Sequence, residues 1–286
     1  MEIIKKSLPR NFKLVVFGDV HLGSPCVSDD TIKEMVDYIK SEEHIYATNL
    51  GDNIEAILPN DKRFLLSGTK YKTAQEQCDG FIDLMMPIKD RMLVVGLGNH
   101  EYKLLNTLNT SQYISERLGC TNGMLSYKLE CYNQKTDKLM HKIFCTHGSG
   151  SVTSNAKDKL QATGNMKATL KNKFTRLAHA DVIANYQGHI HKFLIVEPNI
   201  NDELYLTSEN GELKQHYRYN ERQDSSYIPP DARFYCSSGS FMKTYAPAGS
   251  GYISYSEAFG YGPAEIGYII QTVEDGEVVK IESVKL

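Results

Sequence analysis

Short apolar runs recur along the first two thirds of the chain, and each leads into a polar loop that contains glycine. The runs have the length of β-strands and are rich in Val, Ile, Leu and aromatic residues. They occupy residues 13–17, 45–50, 92–97, 142–145 and 181–186. The pattern therefore predicts five strands, each followed by a tight turn.

Stretches with helical spacing lie between these runs. Residues 30–40 follow a polar capping region at Ser28 and Asp29, and residues 71–86 place apolar side chains at helical intervals. Residues 155–178 carry an apolar stripe that contains Met166, Leu170, Phe174 and Leu177. Strands that alternate with helices predict an α/β layered fold built on a mixed pair of central sheets.

The pattern changes after about Ile190, where helical spacing fades and short strands with turns follow. Residues 264–286 are typical of a β-hairpin that turns at residues 274–277. We therefore predict a single domain over residues 1–286. Its core would span residues 12–200, and residues 201–286 would be mostly β-strands that complete the sheets.

Composition excludes several classes of protein. With 41% hydrophobic and 23% charged residues, the chain of 286 residues is typical of a globular protein rather than a disordered, collagen-like or coiled-coil one. It has neither an apolar run long enough to cross a membrane nor a recognisable signal peptide, so we expect a cytoplasmic protein without a membrane partner. Six scattered cysteines without a CxxC pair indicate reduced thiols rather than a disulfide framework or zinc knuckle.

The loops after the five predicted strands all carry residues that bind metals. These are Asp19-Val20-His21, Gly51-Asp52-Asn53, Gly98-Asn99-His100-Glu101, Thr146-His147-Gly148 and Gly188-His189-Ile190-His191. Loops at the carboxyl ends of strands in an α/β sheet converge on one crevice. Imidazoles mixed with carboxylates suit zinc, iron, manganese or nickel better than magnesium or calcium. Because these ligands outnumber the needs of one tetrahedral ion, they favour two ions about 3.5 to 4 Å apart.

In these five blocks the sequence resembles the calcineurin-like metallophosphoesterases, whose ordered signature is DxH, GD, GNH followed by Asp or Glu, an isolated His, and GHxH. All five blocks stand in this order between Asp19 and His191. The resemblance implies a β-sandwich flanked by helices (α-β-β-α) and a binuclear metal-dependent phosphoesterase. The opening Asp19-Val20-His21-Leu22-Gly23 is most similar to the nuclease and phosphodiesterase branches of the family.

The resemblance also implies a role for each residue. Asp19, His21 and His191 would hold one metal, Asn99, His147 and His189 would hold the other, and Asp52 would bridge them. His100 would act as the general acid, and Glu101 would orient it. The cofactor would be two divalent transition-metal ions, with Mn²⁺ preferred over Fe, Zn or Ni, and a metal-bridging hydroxide would attack phosphorus.

A basic segment follows the fourth block. Residues 155–178 contain six Lys or Arg side chains against Asp158 alone, although the whole chain has a net charge of -3. Lys157, Lys159 and Lys167 are candidates for binding a substrate backbone, and a solvated helix face is the alternative. We therefore expect a phosphoester substrate, preferably a diester in a nucleotide, cyclic nucleotide or nucleic acid. A phosphomonoesterase is one alternative, and a non-enzymatic scaffold, such as the retromer subunit with this fold, is another.

Overall fold

Two six-stranded sheets dominate the computed structural model, which describes residues 1–57, 70–199, 204–217 and 222–286. The strands are β1 (Glu2–Leu8), β2 (Phe12–Phe17), β3 (Ile45–Asn49), β4 (Met92–Gly96), β5 (Thr121–Met124), β6 (Ser126–Asn133), β7 (Leu139–Thr146), β8 (Ala184–Gln187), β9 (Leu194–Val196), β10 (Leu204–Glu209), β11 (Glu212–Tyr217), β12 (Phe234–Ser237), β13 (Gly267–Glu274) and β14 (Glu277–Lys285). The α-helices are α1 (Asp29–Ser41), α2 (Ala74–Met85), α3 (Asn99–Tyr102), α4 (Thr110–Leu118), α5 (Lys159–Leu177) and α6 (Tyr255–Phe259). Two 3₁₀ helices span Met86–Arg91 and Pro230–Ala232.

The first sheet has the strand order β14-β13-β2-β3-β4-β5. Strands β2 to β5 run parallel, and β13 joins β2 antiparallel. The second sheet has the order β1-β6-β7-β8-β12-β9, in which β7, β8 and β12 are parallel. Both sheets are therefore mixed, and in each of them parallel strands end at a common edge.

The two sheets pack face to face. Alternate residues of their strands form one buried cluster, which includes Leu14 and Val16 of β2, Ile143 of β7 and Tyr186 of β8. Because successive side chains of a strand point to opposite faces, Val15 and Phe17 of β2 belong to a different cluster, on the outer face of the first sheet. Removing this apolar surface from water is what holds the layers together.

Helices cover both outer faces. Helices α1, α2 and α4 place apolar side chains against the first sheet, among them Met35, Phe81 and Ile114. On the second sheet, α5 packs through Leu170 and Phe174 onto Phe144 and Tyr235. The layers thus follow the predicted order of helix, sheet, sheet and helix.

Most of the predicted elements are confirmed, including the five strands, the three helices and the final hairpin. The helix predicted over residues 155–178 begins only at Lys159, after the capping residue Asp158. Strands β12 to β14 enter the two sheets, whereas β10 and β11 form a separate hairpin. Within the described ranges, no helix is both long and apolar enough to cross a bilayer.

Candidate metal centre

Five strands of the two sheets deliver the candidate ligands to one place. Strands β2, β3 and β4 of the first sheet lead into the loops of Asp19, Asp52 and Asn99. Strands β7 and β8 of the second sheet lead into His147 and His189. These strands run parallel within their own sheets, so their carboxyl ends meet at one edge of each. The convergence predicted from the sequence is what the structure contains.

Five of the candidate ligands have a left-handed backbone, which is uncommon for residues other than glycine. The φ angles are 53° for Asp19, 53° for His21, 51° for Asp52, 72° for His189 and 52° for His191. Hydrogen bonds between loops hold this conformation, since the N–H of Asp19 donates to the Gly51 carbonyl and that of His21 to the Asp52 carbonyl, both at 2.9 Å. Strained backbone of this kind is concentrated at functional sites.

Two glycines of the blocks leave room for carboxylates. A Cβ atom at position 98 would lie 1.9 Å from Oδ1 of Asp52, and one at position 188 would lie 2.6 Å from Oδ2 of Asp19. Neither carboxylate could keep its position beside a larger residue. The glycines of the third and fifth blocks therefore permit the close approach of the two aspartates.

The first donor group consists of Asp19, His21 and His191. The Nε2 atoms of His21 and His191 lie 3.3 Å apart. Oδ1 of Asp19 lies 3.4 Å from Nε2 of His191 and 3.9 Å from Nε2 of His21. Three potential ligand atoms thus lie close together, in the grouping that the family resemblance implies for one ion.

The second donor group consists of Asn99, His147 and His189. Oδ1 of Asn99 lies 2.8 Å from Nε2 of His147 and 2.7 Å from Nδ1 of His189. The two ring nitrogens are 3.3 Å apart. His147 is fixed from behind, because its Nδ1 lies 3.2 Å from the Leu50 carbonyl oxygen. In the neutral ring, that contact makes Nδ1 the protonated nitrogen and leaves a lone pair on Nε2 that could bind a metal.

Asp52 lies between the two groups. Its Oδ2 is 3.7 Å from Nε2 of His21, in the first group, and 3.3 Å from Nε2 of His147, in the second. Its Oδ1 accepts the backbone N–H of His100 at 2.9 Å. Among the described residues, no other candidate carboxylate has an oxygen recorded within 4 Å of ring nitrogens from both groups, since Asp19 meets the second group through the backbone N–H of His189. Asp52 therefore has the position of a shared ligand.

The electrostatics of the cluster favour a cation. Burial lowers the pKa of His21, but the carboxylates of Glu55, Asp52 and Asp19 outweigh it and raise the pKa to about 9. Burial likewise lowers the pKa of His147, and Asp52 brings it up to about 9. In the protein without metal, protons on these imidazoles therefore balance the carboxylates. Imidazole and carboxylate donors that attract protons so strongly also fit divalent transition metals, which bind the same lone pairs.

His100 lies beside the first donor group, with its ring centroid 4.6 Å from that of His21. Its Nδ1 lies 2.8 Å from the carbonyl oxygen of Glu55, to which it must donate. Burial lowers the pKa of His100, and the neighbouring His21 lowers it further. His100 thus has Nδ1 fixed by the backbone, and with His21 and Asp52 it also forms a group of residues that could hold a metal ion.

Glu55 is a site residue that sequence reasoning missed. It is 3% exposed, and its Oε2 lies 2.9 Å from Nδ1 of His21 and 3.7 Å from Nδ1 of His100. A carboxylate behind a ligating imidazole orients the ring and increases its basicity. The available signal was its place just after the second block, three residues beyond Asp52.

Glu101 requires a correction. We expected it to orient His100, but its carboxylate accepts backbone N–H groups instead. The donors are Gly98 at 2.9 Å, Asp52 at 3.1 Å and Ile54 at 3.2 Å, together with Asn53. Glu101 is fully buried, at 0% exposure, so its role is to hold the second and third loops together. The residue beside His100 is Glu55.

The ordered loops match a family model of calcineurin-like phosphoesterases over residues 12–196. The chain belongs to this family. The family and the clustered donors support a metal-dependent phosphoesterase. A search among curated proteins found no match.

Several solved structures resemble this calcineurin-like chain at low identity. Vps29 from Entamoeba histolytica, solved with Zn²⁺, has 13% identity and a TM-score of 0.37, with 96% of this chain and 99% of that chain covered. A metallophosphoesterase from Sphaerobacter thermophilus has 12% identity and a TM-score of 0.38, over 96% and 88% of the two chains. GAP50 of Plasmodium has 13% identity and a TM-score of 0.39, over 96% and 89%. Similarities this weak carry no functional argument.

Among the described residues, no contact is recorded between the candidate substrate lysines and the donor groups of this calcineurin-like centre. Lys157 and Lys159 are exposed before and at the start of α5, and Lys167 is half-buried along it. Two other basic residues of the helix have partners, since Lys171 pairs with Asp231 and Lys173 donates to the Ser149 carbonyl, two residues after His147. The exposed ammonium groups of Lys157 and Lys159 thus lie just before α5 and in its first turn, while Lys173 links the helix to the loop of a candidate ligand.

Proposed function

We propose that this protein is a two-metal phosphodiesterase that acts on a nucleotide or a nucleic acid. The observation that carries the proposal is the position of Asp52, whose Oδ2 lies within 3.7 Å of ring nitrogens from both donor groups. A shared carboxylate between two sets of imidazoles matches the ligand needs of a pair of ions rather than a single one.

In this proposal, Asp19, His21 and His191 hold one ion, Asn99, His147 and His189 hold the other, and Asp52 contributes to both. Mn²⁺ is the preferred metal, and Fe, Zn and Ni suit the same donors. When bound, such ions supply activation of water and neutralisation of the charge on a phosphoryl group.

His100 is the proposed general acid. Because its Nδ1 donates to the Glu55 carbonyl at 2.8 Å, Nε2 is the nitrogen that would deliver a proton to the leaving oxygen. The side chain is 15% exposed, so it is accessible from the site, and the Glu55 carboxylate 3.7 Å from Nδ1 stabilises the imidazolium form. Glu55 thereby positions both His21 and His100.

The preference for a nucleotide or nucleic-acid diester is supported by the start of α5. Lys157 and Lys159 are exposed there, and the helix is tied through Lys173 to Ser149, in the loop that begins at His147. Exposed ammonium groups next to such a loop suit a substrate with several phosphates.

Substrate choice tests the proposal. Purified protein with Mn²⁺ would be assayed on bis-p-nitrophenyl phosphate, p-nitrophenyl phosphate, cyclic dinucleotides, and single- and double-stranded DNA. We expect metal-dependent turnover of diesters that exceeds turnover of the monoester. A preference for the monoester would instead make the protein a phosphomonoesterase, and no turnover of any substrate would contradict the enzymatic proposal.

The bridging role of Asp52 gives a specific prediction. Asp52→Asn should lose at least one metal equivalent and essentially all activity, because the amide carries no charge for two cations. Metal content by mass spectrometry, measured beside kcat, checks this. Asp137→Asn, in the turn between β6 and β7 at the opposite end of the sheet, is the matched control and should match the wild type. Two retained ions and full turnover in Asp52→Asn would overturn the assignment.

A further inference from the structure

A cavity of about 370 Å³ lies next to the loop of His21, and none of the roles assigned above uses it. The residues that line it include Leu22, which directly follows His21, and Ser24. The N–H of Ser24 donates to the His21 carbonyl at 3.0 Å, so this turn keeps the two Cα atoms within about 7 Å of each other. A volume in the range of roughly 300 to 1,000 Å³ is typical of small-molecule sites.

The cavity offers groups that bind phosphate. Lys70 and Lys243 line it, and so does the start of α1. Lys70 pairs with Asp29 at 3.5 Å, whereas no ion pair is recorded for Lys243 among the described residues. The positive end of the α1 dipole adds to the charge of Lys243.

Ser28 provides a second, independent sign of a ligand. It occupies the N-cap position of α1 and is 5% exposed, yet its side chain caps no N–H of the helix. Within the described ranges, no hydrogen bond of its hydroxyl is recorded, although the residue lines the cavity. A serine hydroxyl at the cavity wall that neither caps its helix nor has another recorded partner is available to a bound molecule.

The lining also offers groups that bind hydroxyls. Asp29 and Asp30 contribute carboxylates, and Ser24 and Ser250 contribute hydroxyls. Carboxylates near phosphate-binding groups accept hydrogen bonds from sugar hydroxyls. The Asp30 side chain is 90% exposed and lies 3.7 Å from Lys33, so its charge opposes an anion in the cavity only weakly.

We propose that this cavity is a specificity subsite that binds a sugar phosphate, namely the part of the substrate that is not hydrolysed. This deepens the proposed function and rests on it, since a diester substrate has a second group that must lie beside the metal centre. Lys243, the Ser28 hydroxyl and the first N–H groups of α1 bind the phosphate. The carboxylate of Asp29 accepts from the sugar hydroxyls.

Binding to the metal-free protein tests the cavity without any turnover. Ribose 5-phosphate would be titrated in EDTA by calorimetry into the wild type, Lys243→Ala and Ser28→Ala. We expect the wild type to bind ribose 5-phosphate and each variant to bind it at least tenfold more weakly. Lys280→Ala, an exposed lysine on β14 that pairs with Glu282, is the control and should bind like the wild type. Absence of binding, or equal affinity in both cavity variants and the wild type, would overturn the proposal.

Kinetics separate failure of the subsite from failure of the proposed function. Thymidine 3′-phosphate 5′-(p-nitrophenyl phosphate) carries a sugar with a second phosphate that is not hydrolysed, whereas bis-p-nitrophenyl phosphate carries neither. Lys243→Ala should raise KM for the thymidine ester about tenfold and leave both constants for the other ester unchanged. Equal effects on the two esters, or none on either, would contradict the subsite but not the diesterase. If the wild type hydrolysed neither ester, the proposed function would fail, and the calorimetric result would still decide whether the cavity binds a sugar phosphate.

Discussion

At the scale of single residues, Glu55 organises both the first donor group and the proposed acid. One carboxylate oxygen lies 2.9 Å from Nδ1 of His21, and the carbonyl oxygen accepts from Nδ1 of His100 at 2.8 Å. The hydrogen bond from His100 to the Glu55 carbonyl does not need the Glu55 side chain, so it remains after a substitution there. The contact with His21 depends on the Glu55 carboxylate. Substituting Glu55 therefore tests the carboxylate, which lies 2.9 Å from Nδ1 of His21 and 3.7 Å from Nδ1 of His100, while the backbone hydrogen bond to His100 remains.

Glu55→Gln should weaken metal binding and activity by about 10- to 100-fold, because the amide no longer supports His21 as a ligand. Metal affinity from a chelator competition, with kcat/KM at saturating Mn²⁺, measures both effects. Glu42→Gln, an exposed glutamate paired with Lys13, is the control that should behave like the wild type. Unchanged metal affinity in Glu55→Gln would show that Glu55 does not support the ligand.

His100→Ala should retain the metals and lose rate according to the leaving group. General-acid catalysis contributes about 10² to 10⁴ in rate when the leaving oxygen needs a proton. p-Nitrophenolate leaves well without one, so its ester should lose less activity than an alkyl phosphodiester such as DNA. A series of aryl and alkyl diesters, assayed with the wild type and His100→Ala, measures this difference. Equal losses across the series, or loss of metal, would assign His100 to binding rather than proton transfer.

At the scale of elements, sequence periodicity predicts where a single strand or helix lies and which of its faces is buried. The five runs are strands because their apolar residues are buried on one or both faces, and the blocks after them are the candidate ligands. Which elements pair with one another was harder to predict from the sequence. Strand β1 mixes charged and apolar residues, and its pairing with β6, more than 100 residues away, leaves no local signal. Helix α4 was also missed, although Asn109 caps it and Gly119 ends it.

The misassigned carboxylate has a similar cause. Glu101 stands next to His100 in sequence, yet on the short helix α3 its side chain turns inward to the backbone of the Asp52 loop. Neighbours on a helix point in different directions, about 100° apart, so adjacency in sequence did not indicate contact. Glu55 and His100 are 45 residues apart and meet only because β3 and β4 are adjacent parallel strands. The sequence indicates which residue types form the site, but which of these residues contact each other depends on the order of the strands in the sheets.

At the scale of the whole molecule, a buried polar chain crosses between the two sheets. The Tyr186 hydroxyl donates to Oε1 of Gln271 at 2.7 Å, and the amide nitrogen of Gln271 lies 3.3 Å from Nε2 of His141. Nδ1 of His141 lies 2.9 Å from the Gly276 carbonyl oxygen, to which it donates. Both ring nitrogens are thus satisfied only in the neutral form, because a proton on Nε2 would face an N–H donor.

This arrangement predicts the pH dependence of stability. Burial lowers the pKa of His141 to about 4, below the value of about 6.5 expected in the unfolded chain. The unfolded state therefore takes up a proton first as the pH falls, and His141 should reduce the free energy of unfolding between about pH 6.5 and 4. The slope is at most about 1.4 kcal/mol per pH unit. Urea denaturation at pH 7, 6 and 5 measures it.

His141→Gln should show a shallower decline than the wild type over the same range, even if it is less stable at pH 7. His44→Gln, an exposed histidine outside this polar chain, is the matched control and should keep the slope of the wild type. The same slope in His141→Gln and the wild type would mean that other groups cause the acid sensitivity.

The left-handed backbone of five donors has a consequence for how this protein tolerates change. Each such residue costs of order 1–3 kcal/mol relative to a relaxed conformation, whereas glycine adopts φ angles near 53° without that cost. Replacing one of these residues by glycine would relieve local strain in the metal-free chain while removing a candidate ligand. Selection for a more stable fold alone would therefore favour loss of the candidate metal centre, so metal binding as proposed here and stability of the fold oppose each other at these five positions.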